Sequence, residues 1–182
     1  MQNIRPLFGK RGLCVYVMLL GTVMLVGIPA FVGAEDLPRE AVLSLSLATK
    51  AASAAADKCM QDGHRVSVAV VDRAGLLRAF VRTDGAGPHT VESSQKKAYT
   101  SASMRGPTGN VAELIAKTPA VQGLQQMNDK ILFLAGGLPI EIAGEVVGGI
   151  GVGGAPGGHL DAACAQAGLD SIGAAQKLLS PK

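Results

Sequence analysis

Aromatic side chains are almost missing: the chain has no tryptophan, 2 tyrosines and 4 phenylalanines. Bases have few rings to stack on, and nucleic-acid recognition would also need a basic surface. Most of the chain lacks one. Of 17 lysines and arginines against 14 aspartates and glutamates, Arg5, Lys10 and Arg11 lie in the first 34 residues, where no acidic residue occurs. Removing that segment leaves 14 basic against 14 acidic side chains, a balanced domain with no polyanion-binding character.

The acid-free N-terminus has the order of an export signal. Basic residues come first, an apolar run follows from Leu13 to Ile28, Pro29 breaks it, and Val32-Gly33-Ala34 supplies the small residues that a signal peptidase requires. Cleavage is expected before Glu35, leaving residues 35–182 as one domain in the periplasm or outside the cell. The alternative is an uncleaved anchor, but the run of about 16 residues falls short of the roughly 17 to 25 that span a bilayer. A mature chain of about 148 residues is long enough to bury about two thirds of its unfolded surface.

Cysteine and histidine are sparse as well, with 3 of each. Cys14 belongs to the signal, so Cys59 and Cys164 remain in an oxidising compartment. Each lies on the apolar stripe of an expected helix, and the two form a disulfide if those helices pack together; two buried free thiols are the other reading. His64, His89 and His159 have no metal-cluster spacing, so a zinc site would have to be assembled from distant positions. No G-x-S-x-G elbow occurs, and neither cysteine is embedded in a protease signature.

What is present is periodicity. An alanine-rich helix is expected from Pro38 to Gln61, stopped by Asp62-Gly63. Val66, Val68 and Val70 alternate with Ser67 and Ala69 in a strand spanning His64 to Asp72, and Leu76 to Arg82 forms its antiparallel partner. A glycine loop from Thr83 to Pro88 leads to a helix from Thr90, a candidate N-cap, to Met104. Thr118-Pro119 opens a short helix through Met127. Ile131 to Leu134, Leu138 to Ile142 and Glu145 to Val152 read as three further strands, and a last helix runs from His159 to Leu179. Short turns impose antiparallel pairing, so the fold class is α+β: a five-stranded, mostly antiparallel sheet with helices packed on it.

Gly149, Gly151 and Gly154 satisfy G-x-G-x-x-G, but they begin inside a strand rather than in the turn after it, which argues against a dinucleotide site. They read as a strand stripped of side chains so that a helix, a ligand or another subunit can approach. Gly153 to Gly158 then leads into the last helix, whose free N–H groups offer a place for an anion. His64 and His159 read as solvated surface groups. His89 differs: it follows the glycine loop and opens a helix bearing Lys97, so that its imidazole could face a cleft.

Six stretches in order, from Val66 to Gly75, Arg82 to His89, Lys97 to Ser101, Arg105 to Thr108, Gly136 to Ile140 and Val146 to Val152, resemble the GlcG/HbpS-like family. The resemblance spans nearly the whole mature chain. It implies an α/β sandwich on an antiparallel sheet, assembled into homo-oligomers, with exported members that bind haem or a related flat tetrapyrrole as store, scavenger or sensor accessory. Carried onto this sequence, it makes the segment from Asp84 to Arg105 the lining of the ligand cleft, with His89 as candidate axial ligand of haem iron and Lys97 and Arg105 as candidate partners of the propionates. Two other uses of the fold stay open. One is a lyase-like enzyme acting on a small aromatic or carboxylate substrate, with Lys97 or Glu92 moving a proton and Arg105 holding a carboxylate. The other is a partner-binding oligomer that uses the glycine strand as its contact.

Overall fold

The computed structural model describes residues 39–174; the expected export signal, and the part of the last expected helix from residue 175 onward, lie outside them. Helix α1 spans Leu45–Gln61, strands β1 and β2 span Ser67–Asp72 and Leu77–Arg82, and helices α2 and α3 span His89–Met104 and Thr108–Lys117. A 3-10 helix, Pro119–Gln126, precedes strands β3 (Gly137–Ile142) and β4 (Glu145–Gly153) and helix α4 (Gly158–Ser171). All strand pairs are antiparallel, in the order β2-β1-β4-β3.

The sheet therefore has four strands where five were expected. Ile131 to Leu134 is not one of them, because its backbone groups are satisfied by helix side chains. Leu132 N–H donates to Thr100 Oγ1 at 2.9 Å, and the Leu134 carbonyl accepts from Thr108 Oγ1 at 2.6 Å. An apolar run of four residues looks the same whether it pairs in a sheet or lies across two helices. Helix α1 also starts later than Pro38. Ser44 is extended and its Oγ accepts the Leu47 N–H at 3.3 Å, an N-cap that stops the helix from extending backward. At the far end α4 stops at Ser171, short of the expected Leu179.

Both faces of the sheet are covered. On one, Val68 and Val70 of β1, Ile140 of β3 and Ile150 and Val152 of β4 pack under the alanine face of α1 and under Cys164, Ala165 and Leu169 of α4. Each fully buried valine there contributes about 1.5–3 kcal/mol of transfer free energy. The helices approach closely because Gly168 lets α4 reach the α1 backbone, where a β-carbon would stand 2.6 Å from Ala51 O. That contact brings Cys59 and Cys164 to a Cα–Cα distance of 5.5 Å, and they are bonded, closing a sequence separation of 105.

On the other face α2 lies directly on the β4 backbone. A β-carbon at Gly151 would fall 2.2 Å from Ser94 O and 2.4 Å from Ala98 N, and one at Gly149 would fall 2.4 Å from Ala98 O. The glycine strand is thus a bed for the chain's own helix. At Gly149 and Gly151 the helix therefore fills the space that a dinucleotide or a second subunit would need.

Candidate functional site

Two helix starts converge at one end of the sandwich. Pro88 occupies the N-cap of α2 and Gly157 that of α4, neither with a capping side-chain hydrogen bond. Thr90, expected as the cap, lies instead inside the first turn and is buried. Its Oγ1 donates to Gly87 O at 2.6 Å, so the hydroxyl of Ser67, 2.7 Å away, must donate to it, which ties the start of α2 to β1.

Each helix begins with a glycine, one further residue and a histidine, and in each the imidazole folds back over that glycine. A β-carbon at Gly87 would stand 2.6 Å from Cε1 and 2.9 Å from Nδ1 of His89; at Gly157 it would stand 2.7 and 2.9 Å from the same atoms of His159. The Cε1–Nδ1 edge of each ring faces its glycine, and Nε2, at 3.7 Å in His89 and 3.8 Å in His159 from the same points, is the more distant nitrogen. His89 and His159 line one cleft of about 440 Å³, together with Lys97, Asp161, Leu134 and the Gly153 to Gly158 loop. That volume is within the range of small-molecule sites.

The floor of the cleft holds a buried ion pair. Lys97 Nζ is 2.8 Å from Asp161 Oδ2 and 2.9 Å from Val152 O, and the two side chains are 5% and 4% exposed. Asp161 Oδ1 accepts the Ala155 N–H at 3.0 Å. Asp161 sits in the first turn of α4, so the positive end of that helix already faces an internal carboxylate. Part of the loop read in the sequence as a place for an anion, the Ala155 N–H, is thus taken by a carboxylate of the chain itself. Gly136, at φ +117, is required here because a β-carbon would lie 2.7 Å from Asp161 Cβ and 2.9 Å from Lys97 Nζ.

Of the residues singled out in the sequence, His89 and Lys97 share the cleft. Arg105 does not line it. It is the C-cap of α2, in the left-handed conformation at φ 53, and an axial rise of about 1.5 Å per residue puts it about 24 Å along the helix from His89. Glu92 faces a separate groove with Lys96, Tyr99 and Lys130. A hydrogen bond from Lys96, at 2.8 Å, and the charge of that ammonium hold the Glu92 carboxyl below the usual carboxylate range. Glu92, Lys97 and Arg105 are therefore not brought together as one proton-transfer site. Asp161 and His159 were missed as cleft residues; the repeated glycine-x-histidine at two helix starts was the signal that could have marked His159. Among the described residues no group of three or more His, Cys, Asp or Glu side chains is placed to hold a metal ion.

An antiparallel sheet between two helical layers, with a histidine-flanked cleft at one end, defines an α+β sandwich of the GlcG/HbpS-like class. The sequence matches the profile of the HbpS-like family, described as haem degrading protein HbpS-like, over residues 43–170. The chain belongs to that family. It is 31% identical to the protein GlcG of Escherichia coli K12 over 113 residues, 61% of this chain and 81% of GlcG. Its fold matches the crystal structure of a double mutant of Streptomyces reticuli HbpS with a TM-score of 0.70 at 43% identity, covering 78% of this chain and 94% of that one. A crystal structure of a PduOC:heme complex matches with a TM-score of 0.68 at 25% identity, over 74% of this chain and 98% of that one.

Proposed function

We propose that the chain is an exported, homo-oligomeric haem-binding protein whose ligand enters the cleft between the starts of α2 and α4. The observation that carries this reading is the pair His89 and His159, both exposed and both lining one cleft. A neutral imidazole nitrogen is a common ligand of haem iron. Leu134, Ala135, Ala155 and Pro156 supply apolar contact of the kind a flat macrocycle buries. His89 is the axial candidate, and the bound haem would supply the redox and ligand-binding chemistry of its iron. The haem complex of a fold relative supports the reading, as does the signal-like order of residues 1–34, which fits a store, scavenger or sensor accessory in the periplasm or medium.

The test is an absorbance titration of the oxidised mature protein with haemin, repeated with His89→Ala and His159→Ala. A saturable Soret shift, lost in His89→Ala, is expected. Absence of any shift in the unaltered protein at micromolar haemin would overturn the reading.

A further inference from the structure

Beyond His89 the cleft continues into a second lobe of about 300 Å³, which shares His89, Gly154 and Pro156 with the first. Charge separates the two lobes. In the first, the ammonium of Lys97 and the carboxylate of Asp161 neutralise each other at 2.8 Å. The second is lined by His64, Arg65 and His89 and by no carboxylate.

Arg65 is positioned as well as charged. Its Cδ lies 3.0 Å, and its Nε and Nη1 both 3.3 Å, from where a β-carbon at Gly85 would be, so the guanidinium stem rests on that glycine, which holds φ +76. Among the described residues it enters no ion pair, whereas Arg73 is bridged to Glu40 and Glu145. A guanidinium stays charged at any physiological pH and matches a carboxylate with two parallel hydrogen bonds.

We propose that this second lobe is the anion receptor of the cleft: Arg65, with His64 beside it, holds the carboxylate arms of a ligand whose flat body lies against His89. The proposal rests on the haem-binding reading and gives the propionates a partner that Arg105, at the far end of α2, cannot provide.

The test uses the oxidised mature protein and two probes, haemin and haemin dimethyl ester, in which both carboxylates are esterified. Each is titrated into the unaltered protein, Arg65→Gln and Arg65→Lys. The unaltered protein is expected to prefer haemin by about tenfold, the scale of a charge-assisted hydrogen-bonded contact. Arg65→Gln should lose that preference while binding the ester as before, and Arg65→Lys should keep part of it. Comparing the ratio of the two affinities between proteins cancels the different solubilities of the probes. Arg65 is exposed, so the substitutions should leave the fold intact, which the unchanged ester affinity checks. An undiminished preference in Arg65→Gln, or no preference in the unaltered protein, overturns the assignment while haem binding itself stands. No Soret shift with either probe instead removes the haem reading, and this one with it.

Discussion

Replacing Lys97 by methionine removes the ammonium facing Asp161 in the cleft floor. The pair is buried on both sides, at 5% and 4% exposure, and the carboxylate would keep one partner, the Ala155 N–H at 3.0 Å. Removing one member of a buried ion pair costs about 3–5 kcal/mol, because the remaining charge stays desolvated. The lower end is expected here, since that hydrogen bond survives and the neighbouring cleft of about 440 Å³ can admit water. A loss of about 3 kcal/mol is a large part of the 5–15 kcal/mol that stabilises a typical domain. With a urea dependence of about 1–3 kcal/mol per molar, it lowers the unfolding midpoint by about 1–3 M. The assay is urea unfolding of the oxidised protein spanning residues 35–182 followed by far-UV circular dichroism, with Lys97→Met, Asp161→Asn and the double substitution. Asp161→Asn retains an acceptor for Ala155, so the double variant should be more stable than the sum of the single losses implies, by about 1–3 kcal/mol of coupling. A Lys97→Met protein within 1 kcal/mol of the unaltered one, together with additive single effects, would refute the assignment of this pair as a buried structural bridge.

Gly151→Ala would put a methyl 2.2 Å from Ser94 O and 2.4 Å from Ala98 N, both backbone atoms of α2, so the helix must lift from β4. Destabilisation at the upper end of about 1–3 kcal/mol is expected in the same urea experiment. Gly123→Ala, which meets nothing within 4 Å, should change stability by less than about 0.5 kcal/mol. Reducing the Cys59–Cys164 bond, which closes a sequence separation of 105, should cost about 4–5 kcal/mol if it acts through loop entropy in the unfolded chain. Thermal unfolding with and without reductant measures this, and an unchanged midpoint would show that the bond contributes little.

The cleft owes its form to two kinds of residue with different visibility. Glycines at Gly87, Gly136 and Gly157 make room for His89, the ion pair and His159, and their crowded surroundings are what forbid a larger side chain. In sequence they resemble ordinary loop glycines, since nothing local says which neighbour will occupy the space. The charged residues are similarly ambiguous: Lys97 and Glu92 are five positions apart on one helix, yet one is buried against Asp161 and the other is exposed beside Lys96.

By itself the sequence determined whatever depends on neighbours a few positions away. Alternation of Val66, Val68 and Val70 with Ser67 and Ala69 marked the first strand, short turns imposed antiparallel pairing, and the alanine stripe carrying Cys59 marked the buried face of α1. Six ordered stretches then indicated the family, and with it the sandwich. Only the tertiary structure decided which distant groups meet. Lys97 and Asp161 are 64 residues apart, and His89 and His159 face one cleft because both helices start at the same end of the sheet. The four-strand count, the helix bedded on Gly149 and Gly151, and the distance of Arg105 from the cleft were settled in the same way. Side-chain periodicity reports which face of an element is buried, whereas packing of the elements against one another determines what that face meets.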